Sequence, residues 1–142
     1  MKSKSLVVSH CRFWNSSFKI DFVFDNNLTL LMGDSGTGKS IVYSLIKEMM
    51  VFDERFICFN YRDSQEHIKN SVYSLQGKLI VIDNADIILD DEIKKYISTD
   101  ARNQYLLIGR NPKNLFATAD NYYELISDNN GKSTVFSLKK YI

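Results

Sequence analysis

The chain has 142 residues, a length suited to one domain, and 44% of them are apolar and 13% aromatic. That composition supplies a hydrophobic core and excludes a wholly disordered chain. Eighteen basic against 17 acidic residues leave a net charge of +1, so charge does not indicate nucleic acid, although local patches are still allowed.

Cys11 and Cys58 form neither a C-x-x-C pair nor a disulfide framework. Cys58, inside "FICF", reads as a small buried hydrophobe, and a reduced, cytoplasmic setting suits both thiols. No apolar run reaches the roughly 18 residues of a membrane span. The start "MKSKSLVVSHCRF" lacks the long apolar region of a signal peptide.

In chain order, Leu6 to Phe13 and Phe18 to Phe24 read as strands joined by "WNSS". In the second, Phe18, Ile20, Phe22 and Phe24 recur with period two. Leu28 to Met32 is a continuous apolar run, the pattern of a strand covered on both faces. After Ser40 the period changes: Ile41, Val42, Leu45, Ile46, Met49 and Met50 mark one face of a helix. "RFICF" is a short buried strand. Asp63 with Glu66 marks a helix start, followed by Ile68, Val72 and Leu75 at helical spacing. "KLIVID" is a further strand, "DDEIKKYIS" a short helix and "YLLIG" another buried strand. "YYELIS" and "STVFSL" flank Asn130-Gly131, a strong hairpin turn. With no repeat, low-complexity tract or linker, the expectation is one α/β domain over residues 1–142. It should hold a mostly parallel central sheet with helices on both faces, antiparallel strands at the N-terminus and a C-terminal β-hairpin.

Gly33-Asp34-Ser35-Gly36-Thr37-Gly38-Lys39-Ser40 matches G-x-x-x-x-G-K-[ST] at every fixed position, and it sits between the expected strand and helix. Glycines permit positive φ and close approach of backbone to a phosphate. Successive N–H groups then converge on the anion, with the helix dipole behind them. Lys39 would bridge the terminal phosphates as a point charge, and Ser40 would offer Mg²⁺ a hard oxygen. The loop is therefore read as the site of a nucleoside triphosphate, ATP, with Ile41 beginning the helix behind it.

A phosphate loop of this kind needs an acid at the end of another buried strand to orient the metal. "LIVIDNAD" supplies Asp83. Many ATP hydrolases of this broad type have glutamate next; here it is Asn84, an amide that positions a water but cannot take its proton. Asp86 either substitutes for that base or caps the following element. "YLLIGRNP" ends a third buried strand with Arg110 and Asn111, and strand C-termini in a parallel sheet line the ligand crevice. Arg110 is a candidate for the γ-phosphate and Asn111 for the water.

The order of these motifs resembles the ATP-binding cassette type of P-loop ATPase, including its SMC and RecF-like relatives. "CRFWNSSFKIDFVFDNNLTLLMGDSGTGKS" looks like that family's strand pair and loop. The resemblance implies that an aromatic near the loop, Phe13 or Trp14, stacks on adenine. The end, "YLLIGRNPKNLFATADNYYELISDNNGKSTVFSL", looks like the family's strand, switch loop and final hairpin, with Arg110 near the position where the family usually has His. The family's helical subdomain and its LSGGQ-like signature are missing, because only one strand and one helix fit between Lys39 and Asp83. The implied object is a minimal ASCE-type core.

His10 and His67 have no metal-ligand spacing with the cysteines and read as structural or solvated. "NPKN", residues 111–114, is not the guanine-reading N-K-x-D. The pairs Lys94-Lys95 and Lys139-Lys140 are ordinary solvated charge. Of Tyr122 and Tyr123, one ring is expected buried and one exposed. Three functions follow as expectations: an Mg²⁺-dependent ATPase with slow hydrolysis, a non-catalytic nucleotide-sensing module controlling a protein partner, and a small-molecule kinase. A protein partner or self-association is expected, and a membrane is not. The kinase is weakest, since no arginines cluster as a lid.

Overall fold

In the computed structural model, residues 6–33, 36, 38–111, 115, 117 and 119–140 are described. Eight strands form one mixed sheet: β1 His10–Trp14, β2 Phe18–Val23, β3 Leu28–Leu31, β4 Phe56–Phe59, β5 Leu79–Ile82, β6 Gln104–Ile108, β7 Tyr122–Asn129 and β8 Thr134–Lys140. Their order is β1-β2-β8-β7-β3-β6-β5-β4. The β1–β2 and β7–β8 pairs are antiparallel hairpins; the other five pairings are parallel.

Four helices connect or flank the strands: α1 Lys39–Met49, α2 Gln65–Ser74, α3 Ala85–Ile88 and α4 Asp91–Thr99. Period-two alternation divides the core into two layers. Leu31, Val81, Leu106 and Ile108 face Val42, Leu45 and Ile46 of α1, a layer that extends to Ile20, Phe22 and Phe136. Leu30, Ile80, Ile82, Tyr105 and Leu107 face the other way, against Ile68 and Val72 of α2 and Ile93 and Ile97 of α4. The expected α/β class holds, with helices on both faces of the sheet.

Some boundaries differ from the sequence reading. The first strand starts at His10, not Leu6, because a side chain replaces the ladder before it. The Val7 and Val8 N–H groups donate to Gln104 Oε1 at 2.9 and 2.8 Å, and Gln104 Nε2 donates to the Val8 carbonyl at 2.9 Å. The second helix is capped by Ser64, which accepts from the His67 N–H; Asp63 instead accepts from the Asn60 N–H. The C-terminal hairpin is longer than its apolar core and runs out to Lys140.

The minor expectations resolve simply. Tyr123 is buried with its hydroxyl donating to Asp25 at 2.6 Å, while Tyr122 is half-buried. Cys11 is buried and Cys58 half-buried; both are free, and burial pushes each thiol up to about 12. His10 pairs with Asp21 on the surface, and His67 packs edge-on against Phe59. Among the described residues no helix is long and apolar enough to cross a membrane.

Candidate functional site

The strand order puts the C-terminal ends of β3, β6 and β5 side by side. From β3 the chain crosses one face through α1 to the far edge, then returns along the other face through α2 and α4. The helices that follow β3 and β5 thus lie on opposite faces, and such a division opens a crevice beyond the strand ends. A cleft of about 370 Å³ lies there, lined by Gly36, Gly38, Lys39, Ser40, Ile41, Asp83, Asn84, Ile108, Gly109 and Arg110. Three stretches far apart in sequence thus meet at one place.

The glycine loop leaves β3 with φ of 139° at Gly33, 89° at Gly36 and 102° at Gly38. Gly38 is the helix N-cap in left-handed conformation, and its carbonyl accepts from the Val42 N–H at 3.0 Å. The N-cap residue makes no side-chain cap bond, the first-turn N–H groups of a helix lack intrahelical partners, and Lys39, Ser40 and Ile41 of that turn line the cleft. Lys39 folds back and donates to the Gly33 carbonyl at 2.6 Å, holding its ammonium over the loop. Asp34, Ser35 and Thr37, also expected to bind phosphate, lie outside the described residues.

Across the cleft, Asp83 follows the last residue of β5. Burial pushes its carboxyl above the ordinary aspartate range, against the Asn84 N–H, which donates to Oδ1 at 3.0 Å, and the Lys39 charge, which act to lower it. A carboxylate so placed has reason to take up a cation or a proton. Asn84 has φ of 53° and ψ of 37°, a left-handed conformation that asparagine tolerates better than most residues. Its side chain makes no cap bond to α3.

Asp86 behaves differently from the residues lining the cleft. Its Oδ2 accepts from the main-chain N–H groups of Arg110 at 3.2 Å and Asn111 at 2.9 Å. Of the two roles open in the sequence, this bonding is that of a cap, though the capped element is the turn after β6. Arg110 lines the cleft and is exposed.

A second groove of about 320 Å³ continues from the first past Ser40 and Ile41, bounded by Asn15, Phe18, Ser44, Leu45 and Glu48. Of the two aromatics singled out in the sequence, neither lines it. Phe13 packs partly buried against the α1 layer. Trp14 is 65% exposed and lines a third groove with Arg12, Lys19 and Lys132, which shares Asn15 and Phe18 with the second. The aromatic on the continuous groove is Phe18, stacked on Phe136 with centroids 5.9 Å apart. In the sequence Phe18 carried only a strand signal; its neighbour Asn15, whose Oδ1 accepts from the Ser17 and Phe18 N–H groups, borders the same groove.

Ser40 and Asp83 are hard oxygen donors on one cleft, and no group of three or more His, Cys, Asp or Glu forms a metal cage among the described residues. Mg²⁺ suits that arrangement, because it takes one or two protein oxygens and fills its octahedron with phosphate and water. No family model matches the chain, and no curated protein matches it in sequence.

Proposed function

We propose that the chain is a P-loop nucleoside-triphosphate-binding protein of minimal ASCE type, which binds ATP with Mg²⁺ and hydrolyses it slowly. One observation carries the reading: a loop of left-handed glycines, closed on itself by Lys39, shares a cleft with Asp83 and the start of α1. The amides of the loop and of the α1 start, with Lys39, hold the phosphates. Ser40 and Asp83 hold Mg²⁺, which when bound draws charge from the phosphate oxygens. Arg110 faces the terminal phosphate, and the groove along Phe18, Ile41 and Leu45 takes the nucleoside.

Slow turnover follows from the side chains. Asp83 is the one carboxylate among the described lining residues, and it is committed to the metal. Asn84 orients a water without accepting its proton. The same feature favours a second reading, a nucleotide-sensing module in which bound ATP orders a surface for a protein partner. Following bound nucleotide and released phosphate with labelled ATP and Mg²⁺ separates the two. Phosphate release that Asp83→Asn abolishes supports the ATPase; binding without release supports the sensor. Absence of both removes the proposal.

A further inference from the structure

The turn after β6 is tied to α3 by a carboxylate with an unusual division of labour. The Gly109 N–H continues the sheet, donating to the Leu31 carbonyl at 3.1 Å. The next two main-chain N–H groups, of Arg110 and Asn111, both go to Asp86 Oδ2. The other oxygen, Oδ1, is buried without a hydrogen-bond partner among the described residues and lies against Gly109. A Cβ built on Gly109 would meet Oδ1 at 2.4 Å and the carboxyl carbon at 2.9 Å. Gly109 is therefore the residue that lets the carboxylate reach the two amides. Burying an unpartnered oxygen is unfavourable, so the remaining contacts of Asp86 must hold it there.

We propose that Asp86 is a positioning residue: it fixes the 109–111 turn so that Arg110 faces the terminal phosphate, and through that turn it sets the preference for a nucleoside triphosphate over a diphosphate. The inference rests on the nucleotide-binding reading above. It follows from connectivity. Asp86 is the fourth residue after the last of β5, and the turn it holds begins directly after β6. The metal-side strand and the Arg110 strand are thus coupled through one side chain at the rim of the phosphate cleft. Release of the two amides would free the turn to swing Arg110 from the cleft while leaving the glycine loop untouched. Affinity for the phosphates common to both nucleotides would then be kept, and the contribution of the third phosphate lost.

The test compares dissociation constants for a non-hydrolysable ATP analogue and for ADP, each with Mg²⁺, in the full chain and in Asp86→Ala, Asp86→Asn and Gly109→Ala. Exchange of the Arg110 and Asn111 amides in the nucleotide-free proteins is followed by ¹⁵N NMR. Asp86→Ala is expected to reduce the triphosphate-to-diphosphate preference about tenfold, the scale of a lost charge-assisted hydrogen bond. ADP affinity should stay within about twofold, and both amides should lose protection. Asp86→Asn keeps an oxygen acceptor and should retain most of the preference and of the amide protection. Gly109→Ala drives the carboxylate off from the other side and should reproduce the Ala result. An unchanged preference in Asp86→Ala, or unprotected amides in the unsubstituted protein, overturns the clamp alone. Failure of the unsubstituted protein to bind either nucleotide, with the amides protected, overturns the nucleotide reading and the preference with it.

Discussion

Gly38 closes the glycine loop directly onto Phe136: a Cβ at Gly38 would lie 2.6 Å from Cε1 and 3.2 Å from Cζ of that ring. Phe136 is itself buried on β8 and stacked on Phe18, so the ring has no open space to enter. The last glycine before the lysine is therefore required twice, for its φ of 102° and for its missing side chain. Gly38→Ala should destabilise the fold by about 2–4 kcal/mol, combining left-handed strain with overpacking. Gly131→Ala is the control, because Gly131 has φ of 90° and nothing within 4 Å; its cost should be the strain alone, about 1–2 kcal/mol. Urea midpoints of the two variants check the difference.

Asp83 should work against the stability of the nucleotide-free fold. Burial raises its carboxyl pKa in the folded chain, so the neutral form is favoured by folding. Its contribution is fully present below the unfolded aspartate value of about 3.9 and is lost as pH rises through the higher folded value. Asp83→Asn should accordingly melt at a higher temperature than the unsubstituted protein at pH 7, with the gap closing toward pH 3. The same variant should lose the stabilisation that Mg²⁺ and ATP confer on the parent. Thermal melts across pH, with and without nucleotide, read both effects.

The sequence showed the layers of this fold because alternation and helical spacing are local. Leu30 and Leu31, or Ile80 and Val81, divide between two core layers as a strand covered on both faces requires. The glycine loop and Asp83 were visible for a related reason: each ends an apolar run. Long-range polar bonding left no such trace. Gln104 stands in a buried strand, yet its amide bonds the chain at Val7 and Val8, about a hundred residues earlier, and so displaces the start of β1. Asp86 read as either a base or a cap because its partners are main-chain groups 24 and 25 residues away. Phe18 was hidden by its own pattern, since a ring at the start of a strand shows the same periodicity whether it faces core or groove.

Phe18 and Trp14 should separate in nucleotide affinity. Phe18 borders the groove that shares Ser40 and Ile41 with the cleft, whereas Trp14 borders the next groove along, which Phe18 also lines. Phe18→Leu keeps apolar volume against Phe136 and should weaken ATP about tenfold, the low end of an aromatic–base stack. Trp14→Ala should change affinity less than about twofold. Equilibrium titration of both variants with ATP and Mg²⁺ makes the comparison.

Asn84→Glu should accelerate phosphate release. The residue lines the cleft beside Asp83 and leaves its side chain out of the α3 cap, so a carboxylate there can accept a proton from a water. General-base catalysis contributes about 10²–10⁴-fold when geometry is good. The left-handed backbone at 84 penalises glutamate, which places the expected gain near the lower end, about 10²-fold. Single-turnover release of phosphate from labelled ATP measures it.

The bond from Lys39 to the Gly33 carbonyl sets an ammonium over the glycine loop, and the central claim is that this charge holds the phosphates of ATP. The most direct measurement is calorimetric titration of the full chain and of Lys39→Ala with ATP and Mg²⁺, with thermal melts confirming that both are folded. Saturable binding at one site in the parent, weakened at least tenfold in the folded variant, is the predicted result. Equal binding by the two, or none by the folded parent, would contradict the assignment of this cleft to a nucleoside triphosphate.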